Sequence, residues 1–134
     1  MLRRAPAQRF ASCWVACAAL GMLGAGPPTL ADQGAPTDKI RFDVTALDQA
    51  GLYGPANGLR ALSYEFCIPD EPHARAEVRS IDASLRLQSA RGRIGCGDGE
   101  LLCIGNTHQP RYRAVLEALA RLPYVARIEQ AHFE

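Results

Sequence analysis

Apolar and polar residues alternate along KIRFDVTAL (39–47), where Arg41 and Asp43 separate Ile40, Phe42 and Val44. That period of two predicts a half-buried strand. YGPANG (53–58) is a turn cluster. LSYEFCIP (62–69) alternates again, with Leu62, Tyr64, Phe66 and Ile68 on one face and Ser63, Glu65 and Cys67 on the other, until Pro69 stops it. Over 70–82 the spacing turns helical, with Ala74, Val78 and Ile81 on one side. Asp70 or Glu71 supplies a cap there, and Pro72 suits a first turn. Residues 84–88 predict a short strand with Leu85 and Leu87 on one face. Gly92, Gly95, Gly97 and Gly99 then make a long turn into a strand over 100–107. From 109 to 122, Tyr112, Val115, Leu116, Leu119 and Leu122 form the apolar stripe of a helix that Pro123 ends. A final strand is predicted over 124–133.

From residue 62 the order is strand, helix, strand, strand, helix, strand. This α+β order is that of a ferredoxin-like βαββαβ sandwich, one antiparallel sheet with two helices on one face. The segment 40–47 is an additional N-terminal strand, at an edge or across the open face. A helix followed by LPYVARIE resembles the close of many ferredoxin-like domains, protease-propeptide-like inhibitors among them. The resemblance assigns no functional residue. On the sheet face away from the helices, alternation places Glu65, Arg86, Arg127 and Glu129 as a salt-bridged polar surface.

The first thirty residues change where this domain is expected to work. Arg3, Arg4 and Arg9 precede an apolar run from Phe10 to Gly24, and PPTLA leads into polar DQGAPTD. This is the layout of a Sec-type signal peptide, with cleavage expected after Ala31. The apolar run is shorter than the ~20 residues of a membrane span, so an integral membrane protein is not expected. Residues 32–38 read as a flexible linker and 39–134 as one small domain, periplasmic or secreted. Without the leader, 12 basic residues face 14 acidic ones, a formal charge of −2. No basic field remains for nucleic acid.

The leader also takes Cys13 and Cys17, leaving Cys67, Cys96 and Cys103. Export favours disulfides, and an odd count leaves one thiol over. In the expected 4-1-3-2 sheet, Cys67 ends the first strand, Cys103 begins the third, and Cys96 lies in the hairpin at that same end. His73 at the first helix start and His132 near the chain end belong there too. If Leu102 and Ile104 face the helices, Cys67 and Cys103 both point away from them. The preferred reading is a structural disulfide joining Cys96 to one of the other two, with no cofactor. The alternative is a thiolate and imidazole site for Zn or Cu, or a thiol-redox centre.

A second candidate is the helix start in IGNTHQPRYR (104–113). Gly105, Asn106, Thr107 and His108 turn into the helix, with Arg111 and Arg113 in its first turn, an arrangement suited to an anion. The plainer reading has Thr107 or His108 capping the helix and the arginines solvated. No nucleophile stands beside a base in a way that marks an enzyme. The expected function is therefore an exported, non-enzymatic binding module that engages a protein partner or a second copy of itself.

Overall fold

The computed structural model describes residues 36–133. The expected leader and the start of the linker lie outside these residues. The chain enters through a 3-10 turn, Pro36–Lys39, and a second one, Val44–Ala46. β1 (Leu52–Tyr53) and β2 (Arg60–Ala61) form a short hairpin around the YGPANG turn. β3 (Ser63–Pro69), α1 (Pro72–Ile81), β4 (Arg86–Gln88), β5 (Glu100–Asn106), α2 (Tyr112–Arg121) and β6 (Glu129–Gln130) follow. The main sheet is antiparallel in the order β4-β5-β3-β6. The described residues thus form a mixed α+β structure with two α-helices and two antiparallel sheets.

The register of the central pair decides which side chains meet the helices. β3 and β5 pair along their full lengths, with Phe66 opposite Cys103 and Cys67 opposite Leu102. Directly opposed residues point to the same side of a sheet. Tyr64, Phe66, Ile68, Leu101 and Cys103 therefore share one face. Ala74 and Val78 of α1 and Tyr112, Leu116, Leu119 and Ala120 of α2 bury against that face in one core. Gly105, opposite Tyr64, has no side chain because the phenol ring lies over it. A Cβ there would sit 2.3 Å from the ring.

Two expected strands are mostly absent. In 40–47 the pairing is confined to one parallel bridge between Ile40 and Ile128. Asp43 is the reason: its carboxylate accepts from the Thr45 amide at 2.8 Å and the Thr45 hydroxyl at 2.5 Å, turning the chain. Such local bonds compete with a sheet ladder. Ile40, Phe42 and Val44 still pack on the helix-side core. Lys39 fastens the segment by donating to the Leu122 carbonyl at 3.0 Å. In 124–133 only Glu129 and Gln130 are strand. Val125, Ile128 and Ala131 are buried, a spacing of three that a continuous strand does not have.

Both helices start without the expected side-chain caps. Glu71 occupies the α1 cap position but makes no capping bond, and Asp70 pairs with Arg75 instead. α2 begins at Tyr112, three residues later than expected, after Arg111 in the left-handed region at φ 59°.

Asp82 joins the helix layer to the sheet. Its carboxylate accepts from the Ser84 amide and hydroxyl, from Gln109 at 3.0 Å and from the Tyr64 hydroxyl at 3.4 Å. Burial pushes its pKa up, but the bonds from Ser84, Gln109 and Tyr64 outweigh burial and hold it below the ordinary carboxylate value. Among the described residues no helix is long and apolar enough to cross a membrane.

Candidate functional site

The sheet face away from the helices is not open. The loop between β4 and β5 folds back over it, and Ile94 and Cys96 form a second small core with Leu102, Ile104 and Cys67. This corrects the expected orientation of β5. Leu102 and Ile104 face the loop, whereas Cys103 faces the helices, because Cys103 is in register with Phe66.

Four attachments hold the loop. Cys67 and Cys96 form a disulfide with their α-carbons 5.5 Å apart. Glu65, buried in the sheet, accepts from the Ile94 amide at 2.8 Å. Arg127 donates to the Ile94 carbonyl at 2.5 Å while pairing with Glu129 at 2.6 Å. At the far end, the Asp70 amide donates to the Gly99 carbonyl at 2.8 Å. Gly92 allows the close approach: its φ is +64°, and a Cβ would meet the Leu102 methyls at 2.8 and 2.9 Å. Of the polar surface expected on this face, the Arg127–Glu129 pair is present, but Glu65 is turned under the loop.

The bridge is thus Cys67 with Cys96, one of the two pairings left open by the sequence. Among the described residues Cys103 is the free cysteine. It is fully buried on the opposite face, and burial pushes its thiol up to about 12. His73 is exposed at the start of α1, 3.2 Å from the Glu71 carboxylate. His132 is exposed beyond β6. Among the described residues, the group whose ligand atoms converge is Cys67, Cys96 and Glu100, all within 4.8 Å of one another. The expected five-residue cluster is therefore reduced to its cysteine pair, with a carboxylate that the sequence reading omitted. Its signal was the Cys96-x3-Glu100 turn: Glu100 folds back so that Oε2 accepts from the Gly97 amide at 2.6 Å.

The expected anion site is largely stitched into the fold. Gly105 lies beneath the Tyr64 ring, and Asn106 accepts from the His108 amide at 2.8 Å. Thr107 caps no helix. Its buried hydroxyl donates to the Gly51 carbonyl at 2.6 Å and accepts from the Leu62 amide at 3.0 Å. His108 lies 3.0 Å from the Ala50 carbonyl. Arg113 is not simply solvated: it donates to the Leu47 carbonyl at 3.2 Å and sits 5.2 Å from the Tyr112 ring centre. Arg111 stands apart from these, lining with Asp82, Gln109 and Pro110 an open cleft of about 430 Å³ between the helices.

Comparison with known proteins finds no matching family model, no matching curated protein and no matching solved structure.

Proposed function

We propose that the chain is an exported, non-enzymatic interaction module, built on a ferredoxin-like plan, that recognises a protein partner through the loop over 89–99. The strand order and the shared core of the two helices support that plan. One observation carries the functional reading. Within the loop only Ile94 and Cys96 turn inward, while Ser89 to Arg93, Gly95 and Gly97 to Gly99 are exposed.

The anchors hold those exposed positions in one conformation, so less ordering entropy is lost on binding. Loops fixed on a rigid scaffold are common carriers of recognition. Arg91 and Arg93 make the ascending limb basic, complementary to an acidic strip on the partner. Export accounts for the disulfide, which persists in oxidising compartments.

The test is a photo-crosslinking residue at Arg91 of the exported protein, compared with one at exposed Arg79 on α1. Crosslinked species specific to Arg91, lost when Arg93 becomes Glu, are expected. Light scattering then separates a second copy from a different protein. A strictly monomeric protein whose Arg91 and Arg79 crosslinks are indistinguishable overturns the reading.

A further inference from the structure

We propose that reduction of the Cys67–Cys96 bridge creates a binding site for one Zn²⁺ ion, held by the two thiolates and the Glu100 carboxylate. This goes beyond the interaction reading and does not depend on it. The ligand atoms of the three residues already lie within 4.8 Å of one another. One ion spans such a group, with Zn–S distances of about 2.3 Å and Zn–O of about 2.0–2.2 Å.

Each ligand is placed by an element that does not rely on the disulfide alone. Cys67 is fixed by the β3–β5 ladder. Cys96 follows Ile94, whose amide and carbonyl are both bonded to the sheet by Glu65 and Arg127. Glu100 opens β5 and is oriented by the Gly97 amide. Access is present as well. A cleft of about 260 Å³ beside Cys96 and a smaller one of about 90 Å³ beside Cys67 both reach Glu100.

The charge arrangement separates metal binding from metal-free thiol chemistry. A thiolate pair beside Glu100 would gather three negative charges within 4.8 Å. Like charges so close repel one another. A divalent ion removes that repulsion. Two sulfurs with one carboxylate, leaving a fourth position for water, suit Zn²⁺, whereas Cu(I) prefers soft ligands throughout.

The electron balance is closed by an external dithiol. It gives two electrons and two protons to the bridge, breaking the S–S bond to leave two protein thiols, and itself becomes a disulfide. The ion then displaces both thiol protons to solvent. Reoxidation by an external disulfide re-forms the Cys67–Cys96 bond and releases the ion: the two thiolates pass two electrons to that oxidant, which takes two protons from solvent and leaves as a dithiol.

The experiment titrates the exported protein with Zn²⁺ against a chromophoric chelator, before and after reduction by a phosphine that is then removed. One equivalent is expected in the reduced protein and none in the oxidised one. Co²⁺ in place of Zn²⁺ should give a sulfur-to-metal charge-transfer band. Glu100→Gln should lower the affinity of the reduced protein at least tenfold and keep that band, and Cys67→Ser should abolish both. Because Cys67→Ser risks unfolding the chain, Glu100→Gln, at an exposed position, is followed by circular dichroism alongside. Equal Zn²⁺ binding by oxidised and reduced protein, or a Glu100→Gln variant that binds like the wild type, overturns the proposal.

Discussion

At the residue scale, the three cysteines have separate fates because alternation along a strand assigns each to a face. Cys67 and Cys96 meet beneath the loop, while Cys103 is sealed in the helix-side core. A thiol that burial pushes up to about 12 and that has no exposed surface should resist alkylation. Maleimide labelling, under non-reducing conditions, of a chain that begins at residue 32 is therefore expected to modify one cysteine, Cys103, and only after denaturation. Asp82 sets a second residue-scale behaviour. Its folded pKa lies below the ordinary value of 3.8, so its stabilising contribution is complete above that value. The contribution is lost as pH falls through the lower folded pKa. Denaturation midpoints measured from pH 6 to pH 2 should fall less steeply for Asp82→Asn than for the wild type. At neutral pH that variant should be less stable by ~1–3 kcal/mol.

At the scale of elements, β5 is specified by what lies on each side of it. Gly105→Ala would push a methyl into the Tyr64 ring. Overpacking of this kind costs ~1–3 kcal/mol or more, which chemical denaturation would read directly. Glu65→Ala should free the Ile94 amide, and faster hydrogen exchange at Ile94 is the expected result. The regular elements were legible because their spacing has one dominant cause: Tyr64, Phe66 and Ile68 alternate, and Tyr112, Leu116 and Leu119 recur at helical intervals, since each set faces one core. β5 was not legible in the same way. LLCI is apolar on every position, so periodicity cannot orient a strand buried on both faces. Asp43 and the buried set Val125, Ile128 and Ala131 shortened two expected strands through local bonding and turn spacing, which alternation does not register. Topology narrowed the cysteine pairing to Cys96 with Cys67 or Cys103, and the register of β5 decides between them by turning Cys103 to the helices, whereas Glu100 joins the pair through the short turn after Cys96.

At the scale of the whole molecule, the sheet is buried on both faces, by helices on one side and by a bonded loop on the other. The bridge closes a sequence separation of 29 residues, for which chain entropy gives a stabilisation of ~3–4 kcal/mol. Urea unfolding of the oxidised protein and of Cys67→Ser should differ by about that amount, and adding reductant should lower the wild type towards the variant. The closed segment contains α1, β4 and the loop as far as Cys96, so it is a covalent ring carried within the chain. Tension applied at the two ends cannot be transmitted through a ring that the bridge short-circuits. A fully stretched oxidised molecule should be shorter than the reduced one by roughly 100 Å, taking about 3.5 Å for each enclosed residue. Single-molecule extension would show that difference as a step appearing only after reduction, with α1 and β4 unspooling last.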